Sequence, residues 1–338
     1  MLEAGGGAGR QLNLRERTRR IAWTETGSDF EALLVLHHAA DWSFGAEEAR
    51  RRLRLHAPFC VRMTMENAYP RAYVTNRMSK RRLETAFGPY ASRAAAERAL
   101  NEALDLFLLR RCHEELRPDP SFPGCVYSEM KMCLAPCFQG CTDGRYAEEA
   151  RAVLEFLATR GATMAARLEA EREAASEACE FERAAVLHSR LDNVKAAARL
   201  QDEMVRPLAR LDAVIVQPAA GGGAVLFAVR GGRIAGGARF AIEGEGAVDE
   251  GLRRLIVERM DAAAAEKGEM ADHLSLLRRW YYRPTKQRSG EIFFVNDKDE
   301  WPLRRILNAV ERVTAGTADG GDAPARIQPE STGGNHLD

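Results

Sequence analysis

The period of the apolar positions changes along the chain, and each change marks an element boundary. The first ten residues, MLEAGGGAGR, hold nothing able to build a core and are expected to be flexible. After a short β-like run at residues 21–24, Ser28 or Asp29 is placed to cap a helix whose apolar face is Phe30, Leu33, Leu34 and His37. Phe59, Val61, Met63 and Met65 then alternate, and Ala72, Tyr73 and Val74 follow Pro70. The two runs are expected to pair antiparallel across the short connection at residues 66–70. A turn at Gly88-Pro89-Tyr90 ends this sheet, and helical spacing runs from Ser92 to Leu109.

From Tyr146 to about Leu200 the residues are mostly Ala, Glu, Arg and Leu, good helix formers broken at Gly161 and around Cys179. This predicts a long helix, a turn and a second helix, packed as an antiparallel hairpin. The second helix carries the stripe Phe181, Ala184, Ala185, Leu187, Leu191 and Val194, which asks for a partner that amphipathicity alone does not name. Beyond Leu211, strands are predicted at residues 213–216, 224–229 and 238–242, with turns at Gly221 to Gly223 and at Gly231-Gly232. The glycine triplet lacks the strand-to-helix transition and following Lys-Ser/Thr of a phosphate loop, so it reads as a turn. Helices follow at residues 248–265 and 270–280, a strand at 290–295 and a helix at 302–313. The trio Trp280, Tyr281 and Tyr282 is expected to pack rather than to stack on bases. The fold class is α+β: a small mixed sheet, a Cys-rich metal segment, an α-helical hairpin, and a β-rich connector with helices.

With 338 residues there is room for two or three modest domains, and 49 basic residues against 49 acidic ones give no global field to draw in nucleic acid. Phosphate contacts would have to come from local runs, of which Lys80, Arg81 and Arg82 are the candidates, although a solvated helix face explains such runs more often than a phosphate groove does. No stretch of apolar residues is long enough to span a membrane, and the protein is expected to be soluble and cytoplasmic.

The most specific chemistry lies in residues 112–141, where five of the seven cysteines follow the pattern C-x12-C-x7-C-x3-C-x3-C. Thiolates this close, on a segment turned by Pro118, Pro120, Pro123, Gly124, Pro136 and Gly140, can converge on one metal centre. Spacing leaves zinc and an iron-sulfur cluster both open, with His113 in reserve as a ligand. Disulfides are disfavoured by the odd count and by the lack of an apolar signal peptide.

The cysteine stretch and the hairpin after it resemble the bacterial excinuclease subunit UvrC. Cys112, Cys125, Cys133 and Cys137 fall on that family's cysteine pattern, with Cys133-Leu-Ala-Pro-Cys137 close to its C-L-G-P-C. The hairpin's Cys179-Glu-Phe-Glu-Arg-Ala-Ala185 and Ser189-Arg-Leu-Asp192 are similar to the family's UVR motif. Residues 20–34 look like the segment that follows the family's GIY-YIG nuclease motif, residues 69–75 with 87–90 look like the end of that nuclease domain, and residues 211–240 resemble the β-rich connector. The resemblance implies a [4Fe-4S] cluster on Cys112, Cys125, Cys133 and Cys137, with Cys141 an extra. It also implies docking on UvrB through Phe181, Ala184 and Ala185, with damaged double-stranded DNA as the second partner. The organisation it suggests is a flexible 1–12, a degenerate GIY-YIG-like remnant at 13–95, the Fe-S segment at 96–144, the UVR hairpin at 145–205, the connector at 206–315 and a disordered 316–338.

The departures from the family bear on activity. The GIY and YIG triplets do not occur, Arg17 is only a weak match to the helix arginine, and Leu36 stands where the family has a metal-binding glutamate. Asp249, Glu250 and Asp261 do not form the carboxylate set that two-metal hydrolysis needs. No catalytic residue is therefore expected, and a truncated or degenerate repair protein is the main reading. A fragment of an active excision endonuclease and a zinc-stabilised helical adaptor are its alternatives.

Overall fold

The structure is a computed structural model, and it describes residues 18–78, 80–240, 248–296 and 299–318. The expected flexible 1–12, Arg17, and residues 319–338 of the tail lie outside the described residues. Ser28 caps helix α1 (Asp29–Phe44) by accepting the Glu31 N–H at 3.1 Å, while the Glu31 carboxylate accepts the Gly27 N–H at 2.8 Å. This reciprocal pairing satisfies two donors that the first turn leaves free. Gly45, at φ 79°, ends the helix, and α2 (Ala46–Leu53) folds back on it.

Strands β1 (Cys60–Met63) and β2 (Ala72–Thr75) pair antiparallel as expected, with Val61 opposite Val74 and Met63 opposite Ala72. On the other side of β1 lies β3 (Ala86–Gly88), which is followed by α3 (Arg93–Leu104). The irregular cysteine segment comes next and holds only the short helix α4 (Val126–Glu129) and a 3-10 turn at Pro136–Phe138. Three helices follow: α5 (Asp143–Thr159), α6 (Ala162–Glu177) and α7 (Phe181–Arg199). The break between α5 and α6 is sharp because Arg160 and Gly161 both take left-handed backbone, and a Cβ at Gly161 would meet the Phe156 ring at 2.8 Å. The chain then returns as β4 (Arg206–Pro207) to pair with β3, closing a sheet of order β2-β1-β3-β4.

A second, five-stranded antiparallel sheet is built from β5 (Ala213–Pro218), β6 (Ala224–Arg230), β7 (Arg233–Ile234), β8 (Ala238–Phe240) and β9 (Glu291–Phe294). Helices α8 (Val248–Ala265) and α10 (Leu303–Ala318) cover one face, and α9 (Met270–Tyr281) the other. The alternation of β5 explains the layering: Val214 and Val216 pack with Leu252, Ile256 and Ile306, while Ala213 and Ile215 pack with Leu274 and Trp280. Coverage on both faces makes these strands read as continuous apolar runs.

Two placements were not evident from the sequence. Helix α1, expected to belong with residues 13–95, lies in the core of the second sheet, where Phe30 meets Trp280 at 5.0 Å. Strand β1 is buried on both faces, with Val61 and Met63 in the core of α3, α5, α6 and α7, and Cys60 in the core of the second sheet. Trp280 is fully buried, in keeping with the packing expected for its trio.

Candidate metal centre and helical docking surface

The cysteine segment is pinned from outside because its own backbone forms few regular hydrogen bonds. Leu108 donates its N–H to the Glu149 carboxylate at 2.6 Å and accepts the Leu134 N–H at 3.0 Å. The Arg110 N–H donates to the Tyr146 hydroxyl at 3.2 Å, and that hydroxyl donates to the Pro70 carbonyl at 2.8 Å. Helix α5 thus fixes the approach to Cys112 through Glu149 and Tyr146. Further along, the Asp119 N–H reaches the Cys137 carbonyl at 2.8 Å and ties the long cysteine gap to the end of the segment. Left-handed backbone at Lys131, Ala135 and Gln139 curls the chain around Cys133 and Cys137.

The four expected ligands share one neighbourhood. Burial pushes the Cys133 thiol up to about 11; Cys112, Cys137 and Cys125 add to the rise, against the Ala135 N–H that points at its sulfur from 3.3 Å. Burial, then Cys125, likewise raises the Cys137 thiol. Cys141 is raised by burial and by the Asp143 carboxylate, with Cys137 as its cysteine neighbour. Cys112, Cys125 and Cys137 line a cleft of about 520 Å³ whose outer wall includes Phe122 and Val126. Among the described residues, no three His, Cys, Asp or Glu side chains converge closely enough to hold a single metal ion. The thiols are neighbours that do not meet at a point. His113, held in reserve as a ligand, has its Nδ1 engaged by Arg71 at 2.8 Å.

Arg110 is a site residue that spacing did not single out. Its side chain is buried and donates from Nη1 to Cys112 Sγ at 3.4 Å and to the Glu114 carbonyl at 2.9 Å, and from Nε to the Tyr69 carbonyl at 3.1 Å. In the sequence it is one of a basic pair, and its neighbour Arg111 turns instead to Asp105 at 2.7 Å.

Helices α6 and α7 form a hairpin as expected, but the single long helix expected before its turn is two, α5 and α6, broken at Arg160 and Gly161, and the α7 stripe divides. Leu187, Leu191 and Val194 are buried with Leu168 and Ala175, so the chain's own core takes this end. At the tip Phe181 is 69 % exposed, Ala185 is exposed, and Ala184 is half-buried against that core. Val186, 60 % exposed, extends the free apolar surface and lay outside the predicted stripe.

Of the basic run, only Arg82 has a described side chain. The side chains of Lys80 and Arg81 lie outside the described residues, and Arg82 is bound to Glu66 at 2.9 Å, which also binds Arg62. Leu36 is exposed on α1, and Asp261 pairs with Arg230 at 3.3 Å.

Comparison with known proteins places this cysteine-rich segment in a family. Residues 59–156 match the UvrC/Cho excinuclease middle domain, and this segment belongs to the UvrC/Cho excinuclease family. The matched span runs through β1, β3, α3 and α5, which share one core. The chain is similar to UvrABC system protein C of Ectopseudomonas mendocina, with 30 % identity over 257 residues, 71 % of this chain and 40 % of that protein. The protein of the same name from Pseudomonas aeruginosa is 35 % identical over 188 residues, 54 % of this chain and 30 % of its own length. That of Ruegeria sp. is 31 % identical over 185 residues, 55 % of this chain and 28 % of its own. The matched stretch thus spans less than half the length of these relatives. No solved structure matches the chain. Among the described residues, no helix is long and apolar enough to cross a membrane.

Proposed function

We propose that this chain acts in nucleotide excision repair, carrying a [4Fe-4S] cluster on Cys112, Cys125, Cys133 and Cys137 and docking on UvrB at damaged double-stranded DNA through the tip of its helical hairpin. Its described residues contribute binding and not strand cutting. The observation that carries this reading is the middle-domain match over residues 59–156, followed directly by a hairpin whose tip leaves Phe181, Ala185 and Val186 free. The relatives' name, UvrABC system protein C, supports a role alongside other subunits of that system.

The donor set fits a cluster in kind: four sulfurs, an N–H directed at Cys133, and a buried cation beside Cys112. The resemblance of the C-x12-C-x7-C-x3-C pattern to that of the UvrC family favours a cluster over zinc. When bound, the cluster would cross-link a segment that has few regular hydrogen bonds of its own. It would thereby hold the first sheet and α5 in fixed relation.

The test is to purify the full chain without oxygen, analyse iron, sulfide and zinc, and titrate it with UvrB. About four irons per chain and a UvrB complex that Phe181→Ala weakens support the reading. One zinc per chain, or no complex with UvrB, overturns the corresponding half. Incision of a damaged duplex by this chain with UvrB and Mg²⁺ would overturn the non-cutting role.

A further inference from the structure

Arg110 presents an electrostatic problem that its surroundings do not solve. It is 4 % exposed, and among the described residues no carboxylate pairs with it. Its guanidinium spends its donors on two carbonyls and one sulfur, those of Tyr69, Glu114 and Cys112. Carbonyl oxygens satisfy hydrogen bonds without cancelling charge, and a buried cation without a counter-charge is costly. Arg110 is nevertheless held firmly, since its own N–H is bound to Tyr146 and its side chain is fixed at both Nε and Nη1. The neighbouring Arg111, by contrast, has its own carboxylate in Asp105.

We infer that Arg110 is a positioning residue for the metal centre: its guanidinium is the built-in counter-charge for an anionic sulfur at Cys112, supplied when that sulfur ligates the bound group. This rests on the proposed cysteine-held cluster and goes beyond it. Thiolate is the ligating form of cysteine, so ligation places negative charge 3.4 Å from Arg Nη1. A charge-assisted N–H···S contact of this kind holds electron density on the sulfur and slows its release from the metal. The two states of the site therefore need Arg110 to different degrees. With the group bound, the cation is paired with the ligating sulfur; with the group absent, its partners are two carbonyls and a sulfur that no metal holds.

The experiment compares full-length wild type with Arg110→Met, Arg110→Lys and Arg111→Met, each prepared without oxygen in loaded and metal-free form. Two readouts are taken: the rate at which an iron chelator bleaches the cluster absorbance, and the thermal midpoint of each form. The expected result is that Arg110→Met loses its cluster at least tenfold faster than wild type, Arg110→Lys falls between them, and Arg111→Met matches wild type. Arg110→Met should also lower the midpoint of the loaded form more than that of the metal-free form, because coupling to the cluster exists only in the former. Equal lowering of both forms with an unchanged chelation rate would reduce Arg110 to a structural anchor and overturn the inference. If Arg110→Met does not fold, Arg110→Lys carries the same comparison, and a loaded Arg110→Lys that bleaches at the wild-type rate overturns the N–H···S role. Wild type without iron and sulfide would instead overturn the cluster reading, visible before any variant is made.

Discussion

The ring of Phe30, on α1, stands edge-on to that of Phe227, on β6, with centroids 5.2 Å apart and planes at 90°. A helix near the start of the chain is thereby part of the core of the last sheet. Phe30 is fully buried and also touches Trp280 at 5.0 Å, so its removal leaves a cavity at the join of three layers. Phe30→Ala should cost about 3–5 kcal/mol, the range for a buried aromatic truncated in a close-packed core. Urea unfolding monitored by circular dichroism would measure it. A loss below about 1 kcal/mol would mean that α1 is not integral to this core.

The elements were largely legible because their signals are local. Ser28 and Glu31 sit three residues apart before an apolar face, the alternation of Phe59 to Met65 has the period of a strand, and Gly161 marks a break that only left-handed backbone resolves. What was not legible depends on contacts between distant residues. Nothing in α1 says that Phe30 meets a strand almost two hundred residues later, or that β4 returns after the hairpin to pair with β3. Within the candidate site the cysteines declared themselves by type and spacing. Arg110 did not, since an arginine becomes informative only when burial strips it of water and shows which groups remain beside it. The division of the α7 stripe was hidden for the same reason: Phe181 and Leu191 look alike in a sequence, and only packing tells the free one from the buried one.

His273 makes stability depend on pH. It is buried, its Nδ1 accepts the Ile234 N–H at 2.8 Å, and burial pulls its pKa down to about 4 from the ordinary 6.5. Of the charged or titratable groups around it, Glu266 and Asp272 oppose the shift, and His37 and His38 reinforce it. A depressed folded pKa means that between 6.5 and 4 the unfolded chain binds a proton the folded chain refuses. This stability is full above pH 6.5 and is lost as pH falls toward 4, by about 3 kcal/mol at most. Burial pushes Asp272 up, but hydrogen bonds with His37 and Arg50 outweigh it and hold its carboxyl below the usual range, so its own loss comes only below about pH 4. Unfolding free energies at pH 7.5 and pH 5 should differ in wild type and differ less in His273→Gln. Equal differences would remove His273 as the cause.

Cys133 and Cys141 should separate cleanly in metal content. Cys133 is within electrostatic reach of three other cysteines and carries an N–H at its sulfur, whereas Cys141 has only Cys137 as a cysteine neighbour and leans on the core. Cys133→Ala should abolish the bound metal, and Cys141→Ala should retain it. Iron and sulfide analysis of the two variants beside wild type decides this, and loss of metal in Cys141→Ala would make that residue a ligand.

The hairpin allows binding to be uncoupled from folding on a single helix. Phe181 and Val186 lie at the solvent-exposed tip, while Leu187, one residue beyond Val186, is 6 % exposed and packs into the core with Leu191. Truncating exposed side chains generally changes stability by less than about 0.5 kcal/mol, whereas a buried Leu→Ala costs about 2–5 kcal/mol. The double variant Phe181→Ala/Val186→Ala should therefore melt like wild type yet bind UvrB at least tenfold more weakly, because apolar anchors at an interface centre carry most of its energy. Leu187→Ala should melt lower, and whatever affinity it loses should track that destabilisation. Calorimetric titration with UvrB alongside thermal unfolding would settle the matter. Unchanged affinity in the double variant would mean that the free tip is not the docking surface.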